Sequence, residues 1–204
     1  MTQSYDIDRD LREASAMTGA LENYLGQSAL YGSVGGGGFL ALSNMPSLTV
    51  GALVMRLRRL AVLGDERQLD NTQRDKLWTI RREHDRIHAE NRQPYAAKLR
   101  HEVESRLKAA RQFFDECHAD PKACARNYPP EVNRRTIAQE ALIRMDALNI
   151  APDDDLKALI RRTDNHLRRA ANQEADFLWS AALAPAYPQD KFWWLYRQPY
   201  RPES

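Results

Sequence analysis

Residues suited to a protein core recur at steps of three and four along one stretch of the chain, from Asp65 to His118. The stripe consists of Leu69, Gln73, Leu77, Ile80, His84, Ile87, Asn91, Tyr95, Leu99, Val103, Leu107, Ala110, Phe114 and Cys117. Its mean step is close to the period of about 3.6 residues of a straight α-helix. The pattern predicts an all-α protein, a helical bundle built around one long amphipathic helix.

Pro94 interrupts this stripe without shifting its phase. That favours a helix kinked near Pro94 over two helices separated by a loop. An unbroken helix of 54 residues would span ~80 Å, about twice the width of a compact domain of this size. We therefore expect one half to project or to pair. The half before Pro94 contains Gln73, His84 and Asn91, and it is the expected projecting arm and contact surface.

Composition shifts and glycines divide the rest of the chain into segments. We predict an N-terminal amphipathic helix at 1–31 capped by Ser4, a Gly-rich hinge at 32–46, a main helical domain at 47–176 and an aromatic C-terminal tail at 177–204. Within the main domain, Ser47 is expected to cap a second helix that Gly64 ends. Pro129 and Pro130 are expected to open a further helix, and the acidic residues 153–155 the last one.

The tail holds eight of the 17 aromatic residues of the chain, together with four prolines. The aromatics are Phe177, Trp179, Tyr187, Phe192, Trp193, Trp194, Tyr196 and Tyr200. A proline-stiffened strap of this kind buries large apolar side chains either on its own helices or on a partner. We expect this irregular tail to pack on the helices of the chain itself.

Charge and cysteine content give little indication of a partner or a special environment. The formal net charge of the 204 residues is +2, so no whole-molecule field attracts nucleic acid or anionic membrane. Residues 23–55 contain no charge, but glycines, Ser43, Asn44 and Pro46 interrupt them, and no membrane span is predicted. Two cysteines are too few for a disulfide framework, and the N-terminus is acidic where a signal peptide is basic. Both features predict a cytoplasmic protein with free thiols.

Three groupings could carry metal chemistry, and each lacks a required element. His84 and His88 are four residues apart without an HExxH motif, and the Asp-x-x-His pairs ending at His88 and His118 lack two further carboxylates. Cys117, His118 and Cys124 lack a fourth zinc ligand. We predict no metal or cofactor, and nothing in the sequence supports enzymatic activity.

The segment Ser47-Leu48-Thr49-Val50-Gly51 resembles the targeting peptides of encapsulin cargo proteins. Those peptides are usually terminal and lie in flexible tails, whereas these five residues are internal and begin a helix expected to be buried. We therefore do not carry this function over to the chain.

Two functions from different classes remain. The first is a helical protein–protein interaction or scaffold module, with a homodimer as one form of it; its partner-contact residues would be His84, Ile87, Asn91, Trp193 and Trp194. The alternative is a nucleic-acid-associated protein that binds phosphates through Arg161, Arg162, Arg168 and Arg169, which lie on neighbouring helical turns.

Overall fold

The computed structural model describes residues 5–34 and 45–200. Over these residues the chain forms six α-helices: α1 (Ile7–Leu25), α2 (Val50–Asp65), α3 (Asn71–Glu90), α4 (Arg92–Glu116), α5 (Pro121–Ala147) and α6 (Asp154–Ala170). Two 3₁₀ helices (Ala181–Ala186 and Trp193–Tyr196) and the antiparallel strands β1 (Gln173–Glu174) and β2 (Arg197–Gln198) complete it. The chain is an all-α helical bundle with an irregular C-terminal region, as the sequence predicts.

The long stripe is divided between α3 and α4 at Asn91. This residue alone leaves helical geometry, with φ −124° and ψ 39°, although its N–H still donates to the Ile87 carbonyl oxygen over 3.0 Å. A helical proline cannot bond the carbonyl four residues before it and clashes with that group. For Pro94 that carbonyl belongs to Glu90, so the interruption predicted near Pro94 falls three residues before the proline.

The two halves of the stripe have different neighbours. α4 lies between α5 and α6, and its residues Leu99, Val103 and Leu107 are completely buried. α3 packs mainly on α1, with further contacts to α2, and buries Leu77 and Ile80. The prediction of a projecting arm is therefore wrong, because the apolar side of α3 is covered by helices of its own chain.

The first helix is shorter than predicted. α1 ends at Leu25, and Asp6 caps its start by accepting a hydrogen bond from the Arg9 N–H over 2.8 Å. Past the helix, Gly32 and Leu48 exchange backbone hydrogen bonds of 2.9 and 2.8 Å. Residues 1–4 with Ser4, residues 201–204 of the tail, and residues 35–44 of the Gly-rich hinge lie outside the described residues. The division into four segments stays a prediction.

Both predicted ends of the second helix are wrong. Thr49, not Ser47, caps α2 by accepting from the Ala52 N–H over 3.2 Å, because a buried carboxylate described below fixes the Thr49 hydroxyl. Gly64 stays helical, and Arg67 takes the left-handed φ of 57°. Arg67 directly precedes Gln68, whose N–H donates to the Leu63 carbonyl over 2.8 Å, a hydrogen bond typical of a helix C-terminus.

Pro129 and Pro130 lie inside α5, where the sequence predicted a helix start. Both prolines are on the exposed side, so water can bind the two carbonyls whose intrahelical hydrogen bonds they remove. Cys124, Tyr128 and Val132 recur at four-residue steps on the opposite, buried side. Burial of that side carries the helix through the prolines.

The aromatic tail packs on the helices through buried rings. Trp194 is buried, its indole N–H donates to the Thr136 hydroxyl over 2.9 Å, and its carbonyl accepts from the Tyr128 hydroxyl over 2.9 Å. Tyr187 is buried as well, and its hydroxyl accepts from Arg59 over 2.9 Å. The tail thereby contacts α5 and α2.

Cys117 and Cys124 form a disulfide between the end of α4 and the first turn of α5. The prediction of two free thiols is therefore wrong. The turn at Asp120 and Pro121 brings the two Cα atoms to 5.0 Å, a separation that disulfides require. The cytoplasmic location stays a prediction, now without the support of free thiols.

Within residues 5–34 and 45–200, none of the helices is both long enough and apolar enough to cross a membrane.

Candidate functional site

The side of α3 that points away from the bundle carries an exposed tryptophan. The Trp78 ring is 61% exposed, and the Arg82 guanidinium lies over it, 4.6 Å from the ring centroid. Trp78 directly follows Leu77, which is buried. One residue turns an α-helix by about 100°, so the burial of Leu77 directs Trp78 outward.

Charged residues of both signs surround this ring. With Trp78 they form what we call the α3 face: Arg74, Asp75, Trp78, Arg81, Arg82 and Asp85, all exposed. Two of these side chains contact residues outside the α3 face. Arg74 donates to the Leu69 carbonyl over 2.8 Å, and Asp85 lies 3.0 Å from a ring nitrogen of His84. The α3 face therefore combines one large apolar ring with three cations and two carboxylates.

Sequence reasoning missed Trp78. The stripe contains only residues in phase with one side of the helix, and Trp78 is out of phase with it. That signal was available, because an aromatic residue beside a core position on an amphipathic helix must face away from the core.

The predicted contact residues of α3 lie on its inner side. His84 is 3% exposed, and its two ring nitrogens lie 3.0 Å from the Asp85 carboxylate and 2.9 Å from the Tyr95 hydroxyl. Ile87 is buried, and the Asn91 side chain donates to its carbonyl over 3.0 Å. These contacts are all within the chain, so a role in partner contact stays a prediction without support from them.

Burial shapes the ionisation of this junction between α3 and α4. It lowers the pKa of His84, an effect that the nearby Arg144 and His88 add to and that Asp85 opposes. Burial likewise raises the pKa of Tyr95 to about 12, so its hydroxyl stays protonated at neutral pH. With both of its nitrogens occupied, His84 is a hydrogen-bonded core residue, and His88 packs edge to face on Tyr95 with ring centroids 4.6 Å apart.

The two predicted tryptophans of the tail have different surroundings. Trp194 is buried, with the Arg135 guanidinium 4.0 Å from its ring centroid. Trp193 is half-buried, and Arg168 of α6 stacks on it at 4.1 Å. Both rings are therefore occupied by contacts within the chain, and a role in partner contact stays a prediction for them as well.

The four arginines of the phosphate-binding hypothesis are exposed on α6, but they divide between two flanks. Residues seven apart lie within about 20° of each other around a helix, so Arg162 pairs with Arg169, and Arg161 with Arg168. Arg162 lines a groove against α4, while Arg168 lies over Trp193. The structure thus does not bring the four guanidinium groups onto one surface.

A separate cluster of buried charges joins α1, α2 and the tail. Arg56 donates to the Glu13 carboxylate over 2.6 Å, Arg59 to Asp10 over 3.3 Å, and the Tyr5 hydroxyl to Asp10 over 2.6 Å. Burial raises the pKa of Glu13, but hydrogen bonds from two arginines outweigh it and lower that pKa overall. The Glu13 carboxylate is thus held ionised by guanidinium groups, and the cluster borders a cavity of about 970 Å³.

A second buried carboxylate holds the start of α2. Glu102 of α4 is completely buried and accepts hydrogen bonds from the Thr49 hydroxyl (2.5 Å), the Gly51 N–H (2.6 Å) and Arg106 (2.8 Å). A Cβ at Gly51 would lie 2.8 Å from this carboxyl group, so only glycine fits. Residues 48–51 of the Ser47–Gly51 segment are thereby fixed inside the fold, while Ser47 is exposed.

Metal chemistry finds no support in the described part of the chain. Over residues 5–34 and 45–200, no group of three or more histidine, cysteine, aspartate or glutamate side chains is placed to hold a metal ion. Among the exposed large apolar side chains of the described residues, Trp78 is the most exposed. In comparisons with known proteins, no family model, curated protein or solved structure matches this chain.

Proposed function

We propose that this chain is a helical protein–protein interaction module that self-associates through the α3 face. The observation that carries the proposal is the 61% exposure of Trp78. Tryptophan and arginine are the residues most enriched among those that dominate binding energy at protein interfaces. Here an arginine already stacks on the ring, so the two present one combined contact surface.

The energy available from this ring is appreciable. A tryptophan presents roughly 150–250 Å² of surface, so covering its exposed part releases on the order of 2–4 kcal/mol. Arg74, Arg81 and Arg82 add long side chains whose apolar stems can pack against a partner. The ring therefore supplies a central anchor, and the charges supply a polar rim.

Charge order along the α3 face favours a second copy of the chain as the occupant. Asp75 and Arg82 are seven residues apart on one flank, and Arg74 and Asp85 are eleven apart on the other, each pair within about 20° around the helix. A two-fold axis perpendicular to α3 reverses the helix and keeps each flank opposite the same flank. An antiparallel copy centred near Trp78 would then place Arg82 opposite Asp75 on one flank and Arg74 opposite Asp85 on the other.

Light scattering coupled to size exclusion tests the proposal over a range of protein concentrations. The native chain should form a dimer as its concentration rises, and Trp78→Ala should remain monomeric with an unchanged circular dichroism spectrum. Tyr200→Ala is the matched control, since Tyr200 is 53% exposed but lies outside the α3 face. A monomeric native chain, or equal weakening by both substitutions, would contradict the proposal.

A second candidate, nucleic-acid association, rests on the exposed arginines of α6. Arg168 stacked on Trp193 offers a cation beside an aromatic ring, the combination that single strands bind. Binding measured by fluorescence anisotropy at low salt should weaken steeply as salt is added. No shift with single- or double-stranded probes at low salt would eliminate this candidate.

A further inference from the structure

The Cys117–Cys124 disulfide borders a pocket that opens between the end of α4, the start of α5 and α6. Both cysteines line this pocket of about 390 Å³, together with Phe114, His118 and Arg169. Cys117 is 7% exposed and Cys124 3%. The S–S bond is thus largely covered, but the pocket leads to it. Cys117 is the more exposed of the two cysteines.

The surroundings of the pocket favour a thiolate. The Arg169 guanidinium lines it as a permanent cation, and Asp115, 3.0 Å from His166, is the opposing carboxylate. Cys124 lies in the first turn of α5, where the helix dipole stabilises a negative charge. Nearby cations and a helix N-terminus are the two features that lower the pKa of cysteine thiols.

We propose that this disulfide is a reversible redox site that dithiols reduce in the folded protein. A thiolate of the dithiol attacks the Cys117 sulfur, the S–S bond breaks, and Cys124 leaves as a thiolate stabilised by the first turn of α5. The second thiolate of the dithiol then attacks the first sulfur of the same dithiol, which is bonded to Cys117. The mixed disulfide breaks, and Cys117 is released as a thiolate. Two electrons pass to the cysteines, and the dithiol becomes a disulfide.

Reduction should leave the fold intact. The two cysteines are only seven residues apart, and short loops gain the least from cross-linking. Phe114 and Tyr128 are buried beside them and pack edge to face, with centroids 6.1 Å apart. The contacts between α4 and α5 therefore do not depend on the S–S bond.

The direct test exposes the folded protein to dithiothreitol and counts the thiols by iodoacetamide labelling and mass spectrometry. Native protein should gain two labels without loss of helical circular dichroism, label Cys124 faster than Cys117, and recover the disulfide with oxidised glutathione. Reduction that requires urea, or that removes the helical signal, would overturn the proposal and identify a purely structural cross-link.

A pair of arginine variants tests the role of the positive pocket. Arg169→Gln should slow the labelling of Cys124 at pH 7 by about two- to fivefold, the effect of removing one partly screened charge. Arg161→Gln is the matched control, because Arg161 is exposed on the other flank of α6. Equal labelling rates in both variants would overturn the role of Arg169.

Discussion

α3 and α4 carry the same periodic stripe, yet they have different roles in the bundle. α4 is covered by α5 and α6, and it also contributes Glu102 to the start of α2. α3 is covered mainly by α1, and its opposite side exposes Trp78. Periodicity therefore identifies which side of a helix faces inward, whereas the number of neighbours decides whether an outer side remains for function.

The largest expected loss of stability is at the core leucines of the two helices. Leu99 of α4 is completely buried among several helices, and Leu77 of α3 is 6% exposed. Leu99→Ala should lower the free energy of unfolding by about 4 kcal/mol and Leu77→Ala by about 2 kcal/mol, because the more enclosed site leaves the larger cavity. Urea denaturation followed by circular dichroism measures both, and equal losses would contradict the central position of α4.

The next largest effect is expected at a glutamate of α4, compared with a glutamate of α3. Glu102→Gln leaves one carboxylate oxygen's buried partners unsatisfied and should lower the free energy of unfolding by about 2–3 kcal/mol. Glu83 of α3 forms a surface ion pair with Arg86, and Glu83→Gln should not change stability measurably. Thermal unfolding of the two variants provides the measurement. A loss in E83Q as large as that in E102Q would show that surface pairs stabilise α3.

The junction between the helices should respond to acid. The pKa of His84 is lowered in the folded state by burial, so below pH 6.5 the unfolded chain binds the proton more readily. The free energy of unfolding should therefore fall as the pH drops from 6.5, because protons then favour the unfolded state. His84→Gln should reduce this fall, and His101→Gln at an exposed position of α4 is the control. Identical pH profiles for all three proteins would exclude His84 as a source.

The sequence predicts the fold class because the spacing of the stripe residues matches the period of an α-helix. It places the last helix correctly because Asp153 caps α6, with two further acidic residues in its first turn. It fails at Pro129 and Pro130, where burial of the opposite side of α5 outweighs a local helix-breaking preference. The Cys117–Cys124 pairing also depends on the geometry of the turn between α4 and α5, which cannot be inferred from amino-acid composition.

The candidate site was only half predictable. The sequence indicated α3 as the contact helix, but on the side occupied by His84 and Ile87, which is buried. The helical phase of Trp78 was readable, whereas its exposure depends on where α1 packs, a tertiary fact. The self-complementary order of Asp75 and Arg82 becomes meaningful only once that side is known to be open.

A charge exchange on the α3 face tests the central claim most directly, through sedimentation equilibrium of three proteins. Asp75→Arg should weaken dimerisation, because it places two arginines opposite each other on one flank. The double variant D75R/R82D restores opposite charges and should recover much of the association, while stability stays the same in all three. Recovery would support the antiparallel pairing of α3, and a double variant as weak as D75R, or weaker, would contradict it.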